Sequence, residues 1–247
     1  MIIIGNTTNK HHTNIKQIKM SKEDFNREFK NKKQLIWQIN ITNVKNIATG
    51  IINEKISKSD KEVICLLKKI RNAQERTGGA ITETEILQSI ISNNTAAFAF
   101  AKDPLKQNFA ENFQFTWLHS NKKKYALHKL PSGRSGAIYL VDGELITGLT
   151  KKPTGSNSTK SIDFNNNNEY YYAKHTEICG GAQDNQCEDG KKFVEQANKY
   201  CSKHKDNKVF ILLIDGAYYT EEKKQKIRSI VSEENKHRVR VCGCYEV

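Results

Sequence analysis

The segment VFILLI (209–214) constrains this chain more than any other, because it is apolar at every position and lies between polar, helix-forming stretches. A strand solvated on one face alternates apolar and polar residues. An unbroken run of this length fits a strand buried on both faces, in the middle of a sheet that carries helices on either side. The flanking sequence supplies the rest of such a layer. AIYLV (137–141) and LITGL (145–149) read as a β-hairpin closed by Asp142-Gly143, a favoured hairpin turn. KSIDF and EYYYAKHT read as two short strands, with Asn165 to Asn168 as the turn between them. A helix over about 187–203, VFILLI, a helix near 220–233 and the strand RVRVCGC (238–244) complete the order. Strands alternating with helices of this length define an α/β (α+β) fold, a mixed sheet flanked by helices.

The first hundred residues have a different texture. Val63, Leu66, Leu67 and Ile70 recur at helical spacing behind SKSD (57–60), and Thr82 with Glu85 forms a capping-box pattern ahead of Ile86, Leu87, Ile90 and Ile91. Asn93-Asn94 is expected to end that helix. Between the two helices, RNAQERTGG (71–79) is read as a solvated helix end, or a loop reaching DNA. Phe113, Phe115 and Trp117 alternate with polar residues and are expected to form a half-buried strand. The chain therefore divides into a mainly helical region, 1–110, suited to embracing DNA or to dimerisation, and a core, 111–247.

Forty Lys and Arg against 27 Asp and Glu leave a net charge of +13, which favours a polyanionic partner such as nucleic acid. No stretch is apolar enough for a membrane span, and MIIIGN is too short for a secretory leader, so a cytoplasmic location with no membrane partner is expected. Six cysteines then read as reduced thiols. Cys242 and Cys244 near His237 lack the spacing of a structural zinc site.

The chemistry-bearing run is KSIDFNNNNEYYYAKHTEICGGAQDNQCE (160–188). Phosphodiester hydrolysis requires a metal on the phosphate, an in-line deprotonated water and a positive group to offset growing negative charge. Magnesium takes one or two carboxylates and leaves its other positions to water and phosphate. Asp163 at a strand end and Lys174 on the next strand are of the types required. These residues resemble the PD…(D/E)XK nuclease superfamily, to which most type II restriction endonucleases belong. The resemblance covers about residues 125–245 and lies mainly in the order of elements. Ser161-Ile162-Asp163 stands where the family has Pro-Asp, and Tyr172 stands where it has an acid two residues before the lysine. A phenol is neutral near pH 7 and a poor magnesium ligand. Some members take that acid from the following helix, about fourteen residues beyond the lysine, where this chain has Glu188. The resemblance thus implies Asp163, Lys174 and Glu188 as catalytic residues, with Asp163 and Glu188 holding Mg2+. Asp189 and Glu177 are rivals for the second acid, and Glu169 is a weaker one because its spacing puts it on the opposite strand face.

Around this centre, Gln183 and Asn185 in the glycine-rich GGAQDNQ (180–186) carry amides suited to adenine edges or phosphate oxygens, and Arg134 in SGRSG can reach guanine. Lys122 to Lys124, Lys151, Lys152 and Lys160 are candidates for the DNA backbone, and Arg238 and Arg240 extend the basic surface. The function expected is a Mg2+-dependent, sequence-specific endonuclease acting on double-stranded DNA as a monomer or a homodimer. A nucleic-acid-binding protein on a degenerate nuclease fold, a ribonuclease or a structure-specific repair nuclease are the alternatives. The recognition sequence depends on which side chains enter a groove.

Overall fold

The computed structural model describes residues 20–122, 124, 126–133, 135–148, 153, 158–177 and 181–247, with the backbone alone at 181–183. Helices α1 (Lys22–Ile52), α2 (Lys61–Arg76), α3 (Glu83–Ser92), α4 (Asn94–Phe100) and α5 (Phe109–Asn121) come first. They lead into strands β1 (His128–Lys129), β2 (Tyr139–Val141), β3 (Glu144–Ile146), β4 (Phe164–Asn166) and β5 (Glu169–His175). Helix α6 (Gly181–Lys203), strand β6 (Val209–Asp215), helix α7 (Glu221–Arg228) and strand β7 (Val239–Cys242) close the order.

Five strands form a mixed sheet in the order β1-β4-β5-β6-β7. The β1–β4 and β4–β5 pairs are antiparallel, whereas β6 lies parallel to both β5 and β7, with α6 and α7 as the connections. β6 is the central buried strand that its apolar run requires: Phe210 to Ile214 are shielded completely. Each such side chain contributes roughly 1.5–3 kcal/mol of burial. Alternation divides them. Phe210, Leu212 and Ile214 face α6 with Tyr170, Tyr172 and Phe193, while Ile211 and Leu213 share the opposite core with Tyr171, Phe113 and Trp117. The turn between β4 and β5 is shorter than expected and the strand before it lies later: of KSIDF only Phe164 is strand, Asn165 and Asn166 complete β4, and the turn is Asn167-Asn168, with Asn167 at φ +47°, a left-handed conformation that asparagine tolerates.

Three further expectations are corrected. Phe113, Phe115 and Trp117 lie in α5, not in a strand. Phe109, Phe113 and Trp117 recur every four residues and form one helical face against Phe25 and Phe29 of α1, so the period of two was incidental. The hairpin around Asp142-Gly143 forms, but as a separate two-stranded ribbon, β2–β3, tied to α6 by the Gly143 N–H donating to Gln196 Oε1 (2.8 Å). Finally, α6 begins at Gly181, well before 187, because the polar run GAQDNQ is its opening turns.

Two of the N-terminal helices, α2 and α3, are those expected from the sequence, whereas α1 and α4 were not anticipated. Thr82 and Glu85 form the expected capping box of α3, and Asn93 ends that helix while its side chain caps α4. The same cluster uses the C-terminal half of α1, through Val44 and Ala48, against Val63, Leu66, Ile70 and Ile90. Phe25 and Phe29 at the other end of α1 belong instead to the core beneath the sheet. No helix among the described residues is long and apolar enough to cross a membrane.

Candidate active site

Asp163 precedes β4, and its backbone is held from both sides: its N–H donates to Tyr171 O (3.0 Å) and its C=O accepts from Leu130 N–H (2.8 Å). This clamp fixes the side chain, whose Oδ2 accepts from the Ala173 N–H at 2.8 Å. The side chain is 13% exposed. Burial pushes the carboxyl up to about 6, against the downward pull of Lys174, the Ala173 N–H and Lys129, and with an upward push from Glu111.

Lys174 lies beside it, with Nζ 3.9 Å from Asp163 Oδ2. The ammonium also donates to Ala173 O (2.9 Å) and sits 3.9 Å from the centroid of the Tyr172 ring. Tyr172 is thus a platform for the lysine. Only 1% of Tyr172 is exposed, its ring stacks on Phe193 of α6 at 5.1 Å, and its hydroxyl is buried with no hydrogen-bond partner. Burial raises the phenol, and the charges of Asp189 and Asp163 raise it further.

The charges that act on Tyr172 distinguish the two candidate acids of α6. Asp189, in α6, acts on the hydroxyls of both Tyr172 and Tyr219; its carboxylate is 23% exposed and accepts from Lys160. Glu188 points elsewhere. Its side chain is 68% exposed and paired with Lys191 at 2.6 Å. Successive helical residues are turned by about 100°, so the residue that faces the sheet depends on where the helix starts. With α6 starting at Gly181, Glu188 does not open the helix, and the inward line is Cys187, Gly190, Val194, Ala197 and Cys201.

The other acids considered are committed elsewhere. Glu169 accepts from Lys124, Tyr171 and Asn166 at the opposite end of β5 from Lys174. Glu177 pairs with Lys33 at 2.5 Å, and His175 and Lys33 together hold its carboxylate at about 2 against the effect of burial. One acid that sequence reasoning missed is Glu111, in the first turn of α5, which acts on Asp163 and is bound by Lys129 at 2.7 Å. Once residues 113–117 are read as a strand, nothing places Glu111 near Asp163.

Among the proposed DNA contacts, Asn185 is exposed in the early turns of α6, and Lys160 is half-exposed and engaged by Asp189. Arg134 and Lys152 lie outside the described residues, as does the side chain of Gln183. Arg238 does not extend the basic surface: it is buried and donates to Lys208 O (3.0 Å), His204 O (2.6 Å) and Asp206 Oδ1 (2.5 Å). The described cysteines are all unpaired thiols.

Among the described residues, no group of three or more His, Cys, Asp or Glu side chains is disposed to hold a metal ion. A hard divalent cation that keeps most of its water requires fewer, one or two carboxylates. Asp163 fits that requirement, since burial leaves its charge under-compensated, and the unpartnered Tyr172 hydroxyl nearby leaves a polar group unsatisfied. Comparison with known proteins finds no matching family model, curated protein or solved structure.

Proposed function

We propose that this protein is a Mg2+-dependent endonuclease acting on double-stranded DNA, with the sequence specificity of a type II restriction enzyme and a cytoplasmic location. The observation that carries the reading is the pairing of Asp163, just ahead of β4, with Lys174 of β5 at 3.9 Å, one acid and one cation at the same end of the sheet. The antiparallel hairpin that bears them, followed by parallel strands and flanking helices, agrees with the order implied by the resemblance to PD…(D/E)XK nucleases. The net charge of +13 supports a polyanionic substrate.

In this reading Asp163 and Asp189 would hold the metal, which supplies polarisation of the phosphate and activation of water. Lys174 does the chain's own share of the chemistry. Its ammonium, steadied on the Tyr172 ring and Ala173 O, stands where it offsets negative charge developing on the phosphate and orients the attacking water. Lys129 balances Glu111 at the mouth of the site. Were Asp189 to hold a metal, Lys160, which now pairs with it, would be free for the DNA backbone. The N-terminal helices embrace the duplex or join two copies.

A digest of plasmid DNA with the purified protein in magnesium, followed by sequencing of the ends, tests this. Discrete fragments with one sequence at each cut support it; uniform degradation or cutting of RNA moves the substrate to the alternatives. A second reading, a non-catalytic nucleic-acid-binding protein, is favoured by Tyr172 filling the place of an acid. It predicts retarded DNA that is never cut in magnesium or manganese.

A further inference from the structure

On the other face of the same sheet end, α1 and the ends of β5 and β6 enclose a groove of about 680 Å³. We infer that this groove is a phosphate-binding site, separate from the Asp163–Lys174 pair. Its wall on α1 is a single stripe, Lys22, Asn26, Lys30 and Lys33, and Lys224 faces it from α7. Lys22, Asn26 and Lys30 are exposed and have no hydrogen-bond or ion-pair partner among the described residues. Two carboxylates also line the groove, and both are already occupied. Glu177 is neutralised by Lys33, and Asp215 is buried, accepting from Gln114 Nε2 at 2.8 Å and from the Cys244 N–H at 3.2 Å. With Lys33 engaged by Glu177 and the buried Lys224 by Glu246 and the Tyr245 hydroxyl, the remaining charge is the positive charge of Lys22 and Lys30.

The floor of the groove holds the second observation. The His175 side chain is 2% exposed, stacked on Phe29 with ring centroids 3.9 Å apart, and neither of its ring nitrogens has a hydrogen-bond partner. Glu177 Oε1 stands 3.7 Å from Nε2, close enough for charge attraction and too far for a hydrogen bond. Buried polar groups are ordinarily partnered, so an imidazole left without one at the base of a lysine-lined groove is a donor waiting for an acceptor. A phosphate group suits it, since its oxygens accept from several ammonium groups and an imidazole N–H together.

The phosphate can belong to a small anion or to a nucleic-acid strand that leaves the other face of the sheet, and one experiment separates these sources. Protein labelled in its histidine rings, with the His175 signal assigned through His175→Gln, is titrated with inorganic phosphate, with chloride at matched ionic strength, and with a 5′-phosphorylated oligonucleotide. The His175 signal should shift with phosphate or the oligonucleotide and not with chloride. In the double variant Lys22→Ala/Lys30→Ala, whose exposed substitutions spare the core, binding should weaken by about tenfold for each charge-assisted hydrogen bond lost. A shift with inorganic phosphate assigns a small-anion site, and a shift with the oligonucleotide alone assigns the strand. No shift with either, the same shift with chloride, or undiminished binding in the double variant overturns the inference. Because nothing in this assay depends on cleavage, its outcome is independent of the nuclease reading.

Discussion

Substituting Asp163 with Asn should make the protein more stable at pH 8 while removing its activity. The free carboxyl titrates near 3.8 and the buried one at about 6. The folded state therefore holds the proton more tightly than the unfolded chain does. For such an acid, stability falls as pH rises from 3.8 to 6, is lowest above 6, and is unaffected by the charge below 3.8. The interval is roughly 2 pH units, which at about 1.4 kcal/mol each sets an upper limit near 3 kcal/mol at pH 8. Asparagine mimics the protonated acid: it keeps an oxygen for the Ala173 N–H and carries no charge. The shift already includes the attraction of Lys174, so no separate deduction is needed for that pair. Urea unfolding of both proteins at pH 8 and pH 4, with the m-value as a check on the unfolded state, measures the difference. The variant should gain up to about 3 kcal/mol at pH 8 and almost nothing at pH 4. Adding magnesium at pH 8 should stabilise the native protein and leave the variant unchanged. A variant equally destabilised at both pH values would refute the argument that Asp163 is held charged at a cost.

Three further outcomes are expected. Asp189→Asn should lower magnesium-dependent cleavage at least about a hundredfold, as loss of a metal ligand does, while Glu188→Gln stays near the native rate, both read by plasmid nicking. Trp117→Ala should cost about 3–5 kcal/mol in urea unfolding, because the indole is buried between α1 and α5. Glu177, held at about 2 in the folded state, contributes stability that is present above its ordinary value of 4.5 and lost as pH falls toward 2. Glu177→Gln should accordingly lose stability at neutral pH and match the native protein near pH 2, measured by thermal unfolding across that range.

The parts of this fold that were legible in the sequence are those in which a local signal and the tertiary setting agree. VFILLI is buried on both faces and could be placed only at the centre of a sheet. The capping box at Thr82 and Glu85 names its own helix start. Asp163 and Lys174 were legible because the asparagine turn folds the segment leading into β4 back along β5, which leaves Asp163 just beyond the paired residues and within 3.9 Å of Lys174. The second acid was harder to place, since neighbouring helical residues face different ways and an error in the helix start redirects the assignment. GAQDNQ (181–186) has the composition of a loop and yet opens α6, which leaves Glu188 in solvent and brings Asp189 toward Tyr172. Glu111 was hidden for a related reason. Aromatic residues at 113, 115 and 117 fit a period of two as well as one face of a helix, and only packing against Phe25 and Phe29 decides between them.

Cleavage by Lys174→Ala tests the central claim most directly. With the ammonium removed, Asp163 and the fold remain, so the variant should still retard duplex DNA at native affinity and show no cutting in magnesium above the background of a protein-free control. A Lys174→Ala protein that cuts the same DNA at the native rate would contradict the assignment of this sheet end as the catalytic centre.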